Sequence, residues 1–191
     1  ALTSGLHPED RDELWHLFDQ ACRNAPHWLV QYNWDIAERF THAALTAQGV
    51  TIDAEGFGYA RSRKRKVDCN AVYKLIDEDH WWSLLGGKRL AIVSGNADEL
   101  ATRILDEAFV RASGGSDVTW SVAAKVQCPD KSVPKLRHRQ RIVDELFSAD
   151  WDLLLCSAGS LSAILCEQAR QAGRKAIDIG SVDQSLMSQQ S

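Results

Sequence analysis

The chain has 191 residues, 45% of them apolar and 25% charged, which is the composition of an ordinary globular protein with a length that suits a single domain. Its 22 basic and 26 acidic residues leave a formal net charge of −4, which argues against a general nucleic-acid binder. No stretch approaches the roughly 20 consecutive apolar residues that cross a bilayer, and the first ten residues carry no basic-then-apolar leader, so no membrane span is expected and the cytoplasm is the expected home.

Residues 1–48 read as a helical region. After Pro8, the apolar residues Leu14, Trp15, Phe18, Ala21 and Cys22 recur at intervals of three and four, forming one amphipathic face that ends at Asn24-Ala25-Pro26. A second such pattern runs from about Leu29 through Trp34, Ile36, Ala37, Phe40, Ala44 and Leu45 to a C-terminal Gly49. Trp15, Trp28 and Trp34 are read as packing residues rather than a ligand platform.

Residues 50–87 are loop-rich. Val50-Thr51-Ile52 is a short strand candidate, and Asp53 and Glu55 follow it. Two carboxylates at this spacing in a strand-end loop can share a hard divalent cation, although paired acids also occur in plain surface turns. Gly56 and Gly58 permit a tight turn, and Arg61 to Lys66 then puts five cations into six residues. Such a run suits a diphosphate, an acidic partner or a membrane surface, or is simply a solvated loop. A short helix is expected over 68–78. Asp77, Glu78, Asp79 and His80 lack the spacing that aims metal ligands at one point from a helix. Gly86-Gly87 is a hinge.

From residue 88 onward, apolar strands alternate with amphipathic helices. The expected strands are 88–93, 117–128, 151–156 and 175–179, and the expected helices between them are 97–112, 133–148 and 161–172. Short apolar strands alternating with helices point to parallel βαβ units, so the expected fold is α/β: a Rossmann-like, mainly parallel sheet flanked by helices, spanning 88–186 with the N-terminal helical region packed on it as one domain. Ligands in such folds bind beyond the carboxyl ends of the strands. The loops expected there are 94–96, 127–131, 157–160 and 178–183.

Two of these loops, Ser94-Gly95-Asn96 and Ser157-Ala158-Gly159-Ser160, put small residues where a strand turns into a helix, which lets phosphate or carboxylate oxygens approach the backbone. Neither is a GxGxxG or Walker loop. A second basic cluster, Lys131, Lys135, Arg137, His138, Arg139 and Arg141, is read as a solvated helix surface. The cysteines Cys22, Cys69, Cys128, Cys156 and Cys166 have no CxxC spacing and are expected to be reduced and mostly buried. There is no G-x-S-x-G elbow, and a nucleophilic Cys156 would need a base that sequence cannot place.

The late run Trp151-Asp-Leu-Leu-Leu-Cys-Ser-Ala-Gly159, followed by Gly173-Arg-Lys-Ala-Ile-Asp-Ile-Gly180-Ser-Val-Asp-Gln184, resembles the GT-D-type glycosyltransferases. That family has a Rossmann-like sheet, uses nucleotide-sugar donors and carries an Asp-x-Glu motif linked to a divalent metal. The resemblance places the motif on Asp53 and Glu55, the late Ala-Gly on Ala158-Gly159, and the family's closing glycine-to-glutamine segment on Gly180 to Gln184. Around the acidic pair this chain reads Val-Thr-Ile-Asp-Ala-Glu-Gly, without the arginine and glycines of the family's usual context.

The function so implied is transfer of a sugar from a nucleoside-diphosphate donor to an unidentified acceptor, assisted by Mg²⁺ or Mn²⁺ on Asp53 and Glu55. Ser94, Gly95, Asn96, Ser157, Ala158, Gly159, Ser160 and Gly180 would line the donor site, and Arg61 or Arg63 would reach its phosphates from a closing loop. Two alternatives remain: a Rossmann-like domain that binds a nucleotide or protein without catalysis, and a hydrolase built on Cys156.

Overall fold

Leu90–Val93 and Leu153–Cys156 are apolar without interruption, and strands of this kind need cover on both faces. The computed structural model describes residues 10–24, 28–30, 66–68, 80–115, 119–129, 135–180 and 182. Its elements are, in chain order, α1 (Arg11–Asn24), β1 (Trp28–Val30), β2 (Lys66–Asp68), α2 (His80–Leu85), β3 (Arg89–Ser94), α3 (Ala97–Leu105), α4 (Glu107–Ala112), β4 (Ser121–Gln127), α5 (Arg139–Phe147), β5 (Leu153–Ser157), α6 (Ser162–Gln171) and β6 (Lys175–Asp178). Short 3₁₀ turns at Lys135–His138 and Gly159–Leu161 lead into α5 and α6.

The main sheet is four-stranded and parallel, in the order β4-β3-β5-β6, with the two apolar strands at its centre. Alternate side chains go to opposite faces. Leu90, Ile92, Leu153 and Leu155 pack with Trp81, Trp82 and Leu85 of α2, Leu100 and Ile104 of α3, and Phe109 of α4. Ala91, Val93, Leu154 and Cys156 pack on the other face with Leu14 of α1, Ile142 and Leu146 of α5, and Ile164 and Leu165 of α6. The result is a three-layer α/β/α sandwich. Right-handed crossovers require this division, because the chain runs from β3 to β4 in one direction and from β4 through β5 to β6 in the other.

The N-terminal end of the sheet is tied by charge. Arg89 Nη2 and Nε meet Asp152 at 2.8 and 3.1 Å, and its Nη1 meets Asp150 at 2.5 Å. This forked pairing with Asp152 raises the Arg89 guanidinium further above its already high range and lowers the Asp152 carboxyl. Arg174 lies 4.5 Å from the Trp151 ring centre and donates to the Ala149 carbonyl at 3.1 Å.

Three elements differ from the sequence expectation. The helix expected over 97–112 breaks at Asp106, whose extended backbone and carboxylate cap α4 by accepting from the Ala108 and Phe109 N–H groups. Leu105, the last residue of α3, is 49% exposed, although its spacing placed it on the apolar side. Trp28–Val30 is a strand paired in parallel with Lys66–Asp68, where helix was expected to begin at about Leu29 and a basic loop to end at Lys66. A three-residue strand depends on a partner distant in sequence, which no local periodicity reports. His80–Leu85, expected as the lead into a hinge, is a helix whose buried tryptophans close one side of the core. The remainder of the second expected helix, the strand expected at 50–52 and the side chains of Trp15, Trp28 and Trp34 lie outside the described residues.

Gly115 is a steric requirement. A Cβ there would lie 2.2 Å from Val110 Cγ1, 2.7 Å from the Val110 carbonyl oxygen and 3.2 Å from Trp82 Cγ. Trp82 cannot yield easily, because it stacks on Trp120 at 5.4 Å and its indole N–H donates to the Ser113 carbonyl at 2.8 Å. Gly115→Ala is therefore expected to cost about 1–3 kcal/mol through overpacking, measured by urea denaturation.

Candidate functional site

Because β3 leads outward to β4 and the chain then returns to the other side of β3, the loops after β3 and β5 diverge and leave a crevice between their carboxyl ends. Ser94 and Ser157, the last residues of these strands, are register partners. The crevice is thus bordered by the two small-residue loops expected from sequence.

On the β3 side, Ser94 is fully buried and its hydroxyl accepts from the Asn96 N–H at 3.0 Å, so it shapes the turn from beneath. Gly95 is exposed and Asn96 is half-buried without capping α3 through its side chain. The Ala97 N–H donates instead to Gln127 Oε1 at 3.2 Å, and Gln127 Nε2 donates to the Gly95 carbonyl. Gln127, at the end of β4, therefore staples the loop. The first turn of α3 carries Asp98 and Glu99. Asp98 is paired there with Lys125 at 2.5 Å.

On the β5 side, the Ser157 hydroxyl donates to the Gly180 carbonyl at 2.6 Å. The buried Ser162 hydroxyl accepts from the Ala158 N–H at 2.8 Å and donates to Asp178. Asp178 Oδ1 in turn accepts from the Gly180 N–H at 3.0 Å. Gly159 and Gly180 have φ of +62° and +54°, backbone angles that an L side chain resists, so both turns depend on glycine. Ser157, Ala158, Gly159 and Gly180 are thereby joined into one hydrogen-bonded unit, and the Ser160 backbone belongs to the turn that follows.

Asp178 reaches solvent from a strand end walled by protein. The lost hydration pushes its carboxyl above the usual range, while the bonds from Gly180 and Ser162 pull it down. Gln127 and Asp178 open two of the loops expected from sequence at this edge but had no role assigned to them, and Ser162 was not singled out. Asp178-Ile179-Gly180 at a strand end was the one available signal, since aspartate two residues before glycine forms such turns.

Cys156 lies on the α6 face of β5, completely buried beside Cys166. Its contact with the Cys166 thiol and the surrounding apolar packing push its thiol well above the ordinary range. A thiol so protonated and enclosed is no nucleophile, and the hydrolase alternative falls. Cys128 is buried as expected, and Cys166 is half-buried.

Asp53, Glu55, Arg61 and Arg63 lie outside the described residues, as do Asp77, Glu78 and Asp79. Among the described residues no three His, Cys, Asp or Glu side chains gather as a metal site, and no helix is long and apolar enough to cross a membrane.

A parallel α/β/α sheet with a loop-lined crevice at its switch point occurs in many families, so the decision comes from sequence comparison. A family model described as a GT-D fold-like domain matches residues 51–186. The chain belongs to the GT-D-like family. The match takes in the whole main sheet, both crevice loops and the segment carrying Asp53 and Glu55, and the family points to glycosyltransferase-type chemistry. Neither the curated proteins nor the solved structures include a match to the chain.

Two measurements test the β5 side of the site. A carboxyl raised in the folded state gives its full stability below the unfolded pKa of about 3.9 and loses it as pH rises through the folded value. Asp178→Asn, which keeps the acceptor for Gly180, is therefore expected to gain in melting temperature over wild type between pH 4 and pH 7, with the gap closing at the acid end. Iodoacetamide in the native state is expected to leave Cys156 unlabelled, read by peptide mass spectrometry.

Proposed function

We propose that this GT-D-like domain is a cytoplasmic glycosyltransferase that moves a sugar from a nucleoside-diphosphate donor to an acceptor with the help of Mg²⁺ or Mn²⁺. The family match over 51–186 carries the reading, since one family model covers both the segment that contains Asp53 and Glu55 and the main sheet. In the proposal the nucleotide lies between Gly95-Asn96 and Ser157–Ser160, with Gly180 closing the far side.

Carboxylate oxygens are the hard donors that Mg²⁺ and Mn²⁺ prefer, so Asp53 and Glu55 suit the metal chemically. When bound, the ion would neutralise charge on the departing diphosphate. Arg61 and Arg63 would add cationic contacts from a glycine-flanked loop. Ser94 contributes by holding the turn, and the Ser157 hydroxyl by holding Gly180.

A second reading, a nucleotide-binding domain without catalysis, is favoured by one observation: the sequence around Asp53 and Glu55 lacks the family's arginine and glycines. Calorimetry with UDP-sugars separates the readings when paired with a transfer assay. The enzyme reading expects Mn²⁺-dependent binding, its loss in Asp53→Ala and in Glu55→Ala, and release of UDP. Binding that ignores both the metal and these substitutions, with no UDP released, supports the second reading and rejects the first.

A further inference from the structure

Asp178 is the last residue of β6, level in register with Cys156 and two residues short of Gly180. Along β6 it follows Ala176 on the sheet face that α6 covers, and its carboxylate meets Ser162 at the start of that helix. Two donors hold it. The Gly180 N–H reaches Oδ1 at 3.0 Å, and the Ser162 hydroxyl, itself fixed by the Ala158 N–H at 2.8 Å, gives the second bond. A carboxylate offers about four acceptor positions, so these two donors orient the group and leave the others open. The residue is exposed at the carboxyl edge of the sheet, where ligands of such folds bind.

The surroundings suit this carboxylate to taking up a proton. Among the described residues no lysine or arginine pairs with it, whereas Asp98 on the β3 side is tied to Lys125. The protein walls strip its hydration and make it more basic than an ordinary aspartate. The neighbouring Cys156 thiol stays protonated and does not compete for the role. Asparagine would keep an acceptor for the Gly180 N–H without a charge to desolvate, so aspartate here sacrifices stability, as groups kept for activity do.

We infer that Asp178 is the general base of the transfer, accepting the proton of the hydroxyl that attacks the sugar. The inference rests on the glycosyltransferase reading. In a single displacement the acceptor oxygen bonds to the anomeric carbon while the bond from that carbon to the diphosphate oxygen breaks. The diphosphate leaves with the electron pair, and the hydroxyl proton passes to a carboxylate oxygen of Asp178. Like charge keeps the diphosphate away from Asp178, so the sugar and acceptor end of the reactants meets it. Ser162 and Gly180 are positioning residues that aim the base. With water in place of the acceptor, the same step hydrolyses the donor and needs no knowledge of the natural acceptor.

The test uses the full chain with Mn²⁺ and UDP-glucose, UDP-galactose or UDP-N-acetylglucosamine, following UDP release, together with calorimetry of UDP binding. Asp178→Asn is expected to slow UDP release about 100-fold or more while Kd for UDP stays within about twofold of wild type, the signature of a group that acts in the chemical step. A merely structural role would move rate and affinity together.

UDP release at the wild-type rate in Asp178→Asn, or a loss of UDP affinity that matches the loss of rate, overturns the inference and leaves the proposed function standing. Wild type that binds UDP but releases none from any of the three donors rejects both the enzyme reading and the inference. Failure of wild type to bind UDP at all likewise rejects both.

Discussion

The pairing of β3 with β5 is the constraint from which the rest of the molecule follows. Leu90 meets Leu153 and the register runs through to Ser94 opposite Ser157, so two strands of unbroken apolar sequence sit side by side at the centre of the sheet. Each fully buried leucine or isoleucine contributes about 1.5–3 kcal/mol, and a one-residue slip would exchange the faces of every side chain. Helices must then cover both faces. The same register also fixes the crevice, since it ends the two strands level with each other where their loops part.

The two ends of this sheet do different work. At the N-terminal end, Arg89 with Asp152 and Asp150, and Arg174 over Trp151, are ion pairs and stacked contacts among groups that satisfy one another. At the carboxyl end, the Ser157–Gly180 and Ser162–Asp178 bonds knit two loops while leaving small residues and backbone at the surface. Rigid support beneath a small-residue surface is the condition for holding a ligand by its phosphates or sugar hydroxyls without paying to order the loops first.

Much of the main sheet was legible in the residues. Continuity of apolar sequence located β3 and β5, and the glycines after β3, β5, α6 and β6 marked where the chain turns. What misled was local periodicity taken without partners. Leu105 has the right spacing for a buried position, yet α3 ends at it where Asp106 caps α4, and it is left exposed. Trp28–Val30 has three residues and a partner nearly forty positions away, so nothing nearby announces a strand. At the site, Gly159 and Gly180 stood out because glycine is conspicuous at strand ends. Ser162 and Gln127 did not, since a serine inside a helix and a glutamine ending a strand are ordinary until the fold shows whose N–H they accept.

Sequence by itself determined the fold class, the alternation of strand and helix from residue 88 onward, and the resemblance that led to the family, because burial on two faces writes itself into unbroken apolar runs. Only the tertiary structure decided the strand order, and with it which loops share the crevice. It enclosed Cys156 beyond any nucleophilic use. Those outcomes depend on crossings between segments distant in the chain, and no local spacing carries that information.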